Sequence, residues 1–182
     1  PGHADRKLLQ PMYKKLGEVI LGADPEATLL YEPTPFPDTF PSNIPFESGV
    51  HPVGFTVGPA GNKSDQSRFQ NQALSYHYYS CGFAVTNCNR QGDTKTASCS
   101  KCDEFAHDTV NTRETDRKLL ASGVFMSEFG ACSGSEQCIA EIARVTSHAD
   151  SMLHSWAYWE FKYNDDLTTI ARSKCVADSR TM

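Results

Sequence analysis

Glu128 closes the stretch Gly123-Val124-Phe125-Met126-Ser127-Glu128-Phe129-Gly130. A short apolar run bounded by glycines reads as a buried strand of a parallel sheet. Period-two alternation puts Val124, Met126 and Glu128 on one face, and Phe125, Ser127 and Phe129 on the other. A charged group closing a buried strand costs free energy unless it is paired or works at a site. In parallel α/β barrels the C-terminal strand ends are where catalytic groups sit. Glu128 is therefore the first catalytic candidate. The plainer reading is a carboxylate that caps a loop or pairs with a lysine.

Two further stretches carry polar and aromatic groups at strand-like spacing. Ala73-Leu74-Ser75-Tyr76-His77-Tyr78-Tyr79 places His77 and Tyr79 on one face, two residues apart. Leu153-His154-Ser155-Trp156-Ala157-Tyr158-Trp159 places Trp159 with the small Ser155 and Ala157, and puts Trp156 and Tyr158 opposite. Each residue taken alone also fits a core: a buried Tyr whose hydroxyl is bonded, or a structural His between aromatics.

These strands need elements to hold them. From Asp5 to about Gly22, Leu8, Leu9, Met12, Leu16, Val19 and Ile20 recur at the spacing of an amphipathic helix, which Gly22 and Pro25 stop. Thr28-Leu29-Leu30-Tyr31-Glu32 reads as a buried strand ended by Pro33. Residues 34–71 are loop-like, with Phe55-Thr56-Val57 read as extended, and so long a loop is usually functional. A helix, with a break allowed, is expected from near Asp103 to Leu120, and another from Ser135 and Glu136 to about Met152. Strands alternating with helices imply βα units and a parallel sheet. No Gly-rich phosphate loop follows any strand, which argues against nucleotide binding. Four strands with their crossovers amount to half of an eight-stranded (β/α)8 barrel.

Composition agrees with one globular domain: 182 residues, 39% hydrophobic and 21% charged. A net charge of −5 and the lack of a basic stripe argue against nucleic acid as a partner. No run approaches the roughly 18 apolar residues of a membrane span. The seven cysteines are clustered: Cys81, Cys88, Cys99 and Cys102 in a polar stretch, Cys132 and Cys138 around SGSEQ, and Cys175 near the end. Such clusters favour disulfides in an oxidising compartment, secreted or lysosomal. Cys99-x-x-Cys102 has zinc-ligand spacing, but no second such pair exists, so no metal is expected. The odd count leaves one thiol free or paired outside the chain. Asn62-Lys63-Ser64 is a glycosylation sequon, in keeping with secretion.

The strand ends His77-Tyr78-Tyr79 and Ser127-Glu128-Phe129-Gly130 and the aromatic strand Ser155–Trp159 occur in an order that resembles strands six, seven and eight of family 5 glycoside hydrolases. Tyr31-Glu32-Pro33 then resembles the end of strand five. Within that family, PMYKKLGEVILGADPEATLLYEPTP, HYY and WAYWEFK are most similar to endoglycoceramidases, which cleave the bond between glycan and ceramide in glycosphingolipids. The resemblance implies an α/β fold made of the C-terminal half, strands five to eight, of a TIM (β/α)8 barrel. It spans residues 1–171, with a cysteine-rich insertion at about 81–102 and a tail at 172–182. It implies a retaining glycosidase with Glu128 as nucleophile, Tyr79 as its hydrogen-bond partner and His77 beside it. Trp159 becomes the floor beneath the sugar, and Glu32, Glu160 and Lys162 join the substrate-binding residues. Sugar C–H faces pack on aromatic rings, which suits a Trp beside a carboxylate. No cofactor is implied.

A retaining enzyme needs a second carboxylate as acid/base. The family carries it in Asn-Glu-Pro at the end of strand four, and this sequence has no such tripeptide. Strands one to four are expected to be missing with it: the sequence is incomplete, or a half-barrel from the same gene product or a companion chain supplies them, or, less productively, a second copy does. Two other functions stay open: a carbohydrate-binding or structural protein without turnover, and a family 5 β-glucanase.

Overall fold

The computed structural model describes residues 4–34, 50–61, 71–79, 100–130 and 136–159, giving backbone alone for residues 79, 100–103 and 136–138. A π-helical turn, Asp5–Leu9, runs into helix α1, Gln10–Ala23. Strands β1, Leu29–Tyr31, and β2, Gln72–Tyr79, follow. Helix α2, Ser100–Leu120, leads to β3, Gly123–Gly130, and helix α3, Glu136–Ser151, leads to β4, Ser155–Trp159. The strands form one sheet in the order β1-β2-β3-β4. β1 and β2 are parallel, with Leu29, Leu30 and Tyr31 opposite Gln72, Ala73 and Leu74. Sequential neighbours in this order, joined by helices, are the βα units that the alternating pattern calls for. No helix among the described residues is long and apolar enough to cross a membrane.

Contacts divide the chain into two units: residues 1–76 with 111–125, and residues 77–110 with 126–182. In the first, Tyr31, Val53, Phe55, Leu74 and Leu120 form a core, with Leu9 and Tyr13 against it. Tyr13, Tyr31 and Phe55 meet pairwise with ring centroids 5.6–6.2 Å apart, in the tilted and edge-on arrangements that aromatic quadrupoles favour. The Tyr31 hydroxyl donates to Ser122 Oγ at 3.1 Å. Burial pushes the Tyr31 phenol well above its usual range, against the lowering effect of that hydrogen bond, so it stays neutral.

The described part of the long loop is not an open binding surface. Residues 50–61 pack Val53, Phe55 and Ala60 into the first unit. Phe55–Val57 is bent rather than extended, because the chain is held by side chains instead of a strand ladder. An irregular buried segment must have its N–H groups satisfied from outside. Asp5 accepts from the Thr34 and Gly54 amides at 2.7 and 3.3 Å, and Asp116 accepts from Val53 at 3.2 Å through both oxygens. Gln10 accepts from Thr56 at 2.7 Å and Gln72 from Ala60 at 2.8 Å. Arg113 donates to the His51 carbonyl.

This loop also decides which way α1 faces. Gly17 lies so close to it that a Cβ there would stand 2.4 Å from the Pro59 carbonyl oxygen. The buried positions of the π-turn and α1 are accordingly Asp5, Gly17 and Leu21. The apolar stripe read from the sequence lies elsewhere: Leu8, Met12, Leu16, Val19 and Ile20 are exposed.

Helix α2 runs unbroken from Ser100 to Leu120, and its residues up to Val110 belong to the second unit. Tyr78 stacks on Phe105 with centroids 5.8 Å apart, and its hydroxyl donates to Glu141 Oε1 of α3 at 2.7 Å. Phe129 receives Trp156 and Tyr158 edge-on at 5.6 and 5.5 Å. His107 of α2 and His148 of α3 stack at 4.7 Å. The last strand begins at Ser155 rather than Leu153. Leu153 belongs to the end of α3, where its φ of 59° and the His154 amide bonding back to Ala149 at 2.9 Å close the helix.

Candidate active site

The site is built on strand ends of the second unit. Tyr78 and Phe129 point to the helix side, as their contacts with Phe105, Glu141, Trp156 and Tyr158 show. Alternation therefore turns their neighbours His77 and Glu128, and likewise Trp159, to the opposite face. There His77 Nε2 lies 3.5 Å from Glu128 Oε2, with side chains 31% and 19% exposed. The pair is an ion pair when the imidazole is protonated, and both groups remain reachable from solvent. The structure thus brings together two residues 51 positions apart that alternation had placed at strand ends.

Gly130 brings the ends of β3 and β4 together. Its φ is 155°, and a Cβ there would lie 2.0 Å from the Trp159 carbonyl oxygen. No side chain can occupy that space without separating the strand ends, so Gly130 is required for the β3 terminus to sit against Trp159. Trp159 is 40% exposed.

Tyr79 ends β2, and its side chain lies outside the described residues. Glu32 belongs to the first unit, directly after β1, where its amide donates to the Tyr13 hydroxyl at 3.3 Å. Glu160, Lys162, Asn62, Cys81, Cys88, Cys99, Cys132 and Cys175 lie outside the described residues. Cys102 and Cys138 fall within α2 and α3, but their side chains are outside them too. Cys102 thus belongs to a helix rather than a loop. Among the described residues no group of three or more His, Cys, Asp or Glu is placed to hold a metal ion.

Two contributors escaped the sequence reading. Glu141, nearly buried, anchors the Tyr78 hydroxyl and with it the strand end bearing His77. In sequence it looks like one more solvated helix charge. Gly130 was legible only as a strand boundary, because close approach of β4 is a tertiary fact.

A partly exposed carboxylate with an imidazole at its side and an indole on the same face can attack or bind a polar ligand that also offers an apolar face. Neither a protein-family profile nor a curated protein matches the sequence. Among solved structures, the chain is similar to endo-glycoceramidase II from Rhodococcus sp., with a TM-score of 0.61 and 18% identity over 83% of this chain and 30% of that one. The ganglioside GM3 complex of the same enzyme gives a TM-score of 0.65 and 17% identity, over 87% and 32%. Cellulose synthase subunit Z from Clostridioides difficile gives 0.56 and 18%, over 91% and 55%. The chain thus spans about a third of the endo-glycoceramidase's length and about half of the other's. The described sheet and helices share the α/β fold of these solved structures, of which the chain covers only part.

Proposed function

We propose that the chain is the nucleophile-bearing part of a retaining glycoside hydrolase acting on the β-bond between glycan and ceramide. The observation that carries this reading is Glu128 at a strand end, beside His77 at 3.5 Å. In the proposed reaction a Glu128 carboxylate oxygen attacks the anomeric carbon as the bond to the leaving oxygen breaks. That oxygen takes a proton from a general acid, and water then hydrolyses the glycosyl ester. Tyr79 and His77 hold the carboxylate ionised and oriented, and Trp159 lies under the sugar. Glu32, Glu160 and Lys162 extend the binding region. The acid/base carboxylate belongs to the remaining strands of the barrel, on a companion half. The GM3 complex of a structure with the same fold supports a glycolipid headgroup as ligand.

The cysteine clusters and the Asn62 sequon support passage through the secretory pathway, with disulfides among Cys81, Cys88, Cys99 and Cys102 and between Cys132 and Cys138.

The test is covalent trapping. A 2-deoxy-2-fluoro glycoside with an activated leaving group should add its sugar mass to the peptide containing Glu128 in the active protein. Glu128→Gln should abolish labelling and lower turnover by several orders of magnitude while glycan binding persists. Labelling elsewhere, or near-normal turnover in that variant, would falsify the assignment. Binding without turnover in the unaltered protein would favour the carbohydrate-binding alternative. Turnover of soluble β-glucan but not of glycosylceramide would favour the β-glucanase.

A further inference from the structure

Among the described residues, two ring contacts tie α2 to α3 within the second unit. At the first, Phe105 of α2 stacks on Tyr78, whose hydroxyl donates to Glu141 of α3 at 2.7 Å. At the second, His107 of α2 and His148 of α3 lie ring over ring, with centroids 4.7 Å apart and planes inclined by 28°. Such stacking is open to two neutral imidazoles, or to one neutral and one charged. Two imidazolium ions at this spacing repel. Even at the dielectric of water, unit charges 4.7 Å apart disfavour the doubly protonated pair about fourfold, and partial burial strengthens the effect. The two rings have different surroundings. The His107 side chain is 61% exposed, with Nδ1 3.5 Å from Asp108 Oδ1, so a charge there meets both water and a carboxylate. His148 is more enclosed, and burial, followed by the charge of His107, holds its imidazole below the usual histidine pKa. By helical spacing Glu104 lies one turn from His107, and Arg144 one turn from His148, so the guanidinium also opposes a proton there. The carbonyls of His148, Ala149 and Asp150 are already bonded, to Ser151 Oγ and to the His154 and Leu153 amides, so the end of α3 offers little to a charge on His148. The His77–Glu128 pair lies on the opposite face of the sheet.

We propose that His107 and His148 form an acid-sensitive latch between α2 and α3, closed while either ring is neutral and released when both carry protons, and that its release loosens the strand end bearing His77. The connection runs through Glu141, seven residues before His148 and so two turns along the same face of α3. Glu141 holds the hydroxyl of Tyr78, the neighbour of His77 in β2. A latch needs two states, and here they differ by one proton. His148 binds that proton less readily in the folded chain than in the unfolded one. Its contribution to stability is therefore whole above about pH 6.5 and is lost as the pH falls through the lower, folded value. The inference stands on the geometry of the second unit and adds a control that the reaction proposed for Glu128 does not require.

The experiment follows the histidine ring protons by NMR, and amide exchange corrected for its intrinsic pH dependence, from about pH 7.5 to about pH 5. It uses the 182-residue chain, His107→Asn and His148→Phe. His107→Asn removes the opposing charge, so the titration midpoint of His148 should rise. In the unaltered chain, amides of α3 between Glu141 and His148, and those of β2 around Tyr78, should lose protection together by about fourfold or more as the pH falls. His148→Phe keeps a ring on His107 but cannot take a proton, so this loss should vanish. His51, His77 and His154 still titrate in that variant and serve as the internal control. Should His148→Phe not fold, His148→Gln carries the same expectation, since it too stays uncharged. An equal loss of protection with and without His148, or no loss in either, overturns the proposal. So does an unchanged His148 midpoint in His107→Asn, or a loss confined to α3 that leaves the β2 amides protected. No substrate enters the experiment, so its failure leaves the assignment of Glu128 untouched.

Discussion

Glu114 and Asp116, two residues apart on α2, form ion pairs of very different worth. Glu114 meets Arg117 at 2.6 Å and Lys118 at 3.2 Å on the helix surface, where these cations are 36% and 69% exposed. Such i,i+3 and i,i+4 pairs contribute about 0.3–0.5 kcal/mol each. Asp116 and Arg113, 3.4 Å apart, are 1% exposed, and Asp116 also holds the Val53 amide of the crossover loop. Asp116→Ala would deprive a buried guanidinium of its carboxylate and orphan a buried N–H, costing about 3–5 kcal/mol. Arg117→Ala should cost less than about 1 kcal/mol. Urea unfolding of the two variants measures the contrast, and similar losses would refute it. At this scale the sequence showed Glu128 and His77, since alternation exposes a polar residue in an apolar strand. It could not show Arg113, Asp116 or Glu141. In a helix rich in charge, a buried carboxylate and a solvated one have the same neighbours in sequence, and only the loop packed against them tells them apart.

The elements themselves were largely legible. Among the described residues, turn residues and periodicity located the four strands and the helices to within a few residues. The face of α1 was not, because helical spacing finds an apolar stripe without saying what covers it. Gly17, a poor helix former in the middle of α1, marks the true contact face, since only a glycine admits the Pro59 carbonyl. Helix ends were also read incompletely. α2 and α3 close on non-glycine residues in the left-handed region, Ala121 at φ 48° and Leu153 at φ 59°. Ser122 bonds back to Arg117 at 3.2 Å, and Leu153 to Asp150 at 3.0 Å, satisfying terminal carbonyls in the manner of glycine caps. A branched side chain in that conformation costs about 1–2 kcal/mol, and Leu153 is 90% exposed, so it returns little by packing. Leu153→Gly should therefore stabilise the chain by about 1 kcal/mol despite glycine's greater freedom when unfolded. Thermal melting checks it: an unchanged or lower Tm would show that the leucine makes a compensating contact.

For the whole molecule, the informative comparison is between two leucines near each other in the sheet. Leu74 lies opposite Tyr31 in the β1–β2 register and is fully buried in the first unit's core. Leu30, one residue before Tyr31, points to the other face and is 56% exposed. At β1 the helix-side face is therefore packed, whereas the other face leaves Leu30 largely in water. Leu74→Ala should thus cost about 2–5 kcal/mol in any form of the protein, because its cavity is enclosed by the unit itself. Leu30→Ala should cost less than about 1 kcal/mol in the 182-residue chain, where the leucine is already largely in water. If the barrel is completed, the same substitution becomes a buried deletion and its cost should rise toward the Leu74 value. Parallel denaturant titrations of both variants, in the 182-residue chain alone and with a companion half-barrel bound, read this difference directly. A Leu30 cost that stays small in the complex would mean that the inner face of β1 is never covered. A cost already large in the 182-residue chain would mean that this chain fills its own interior.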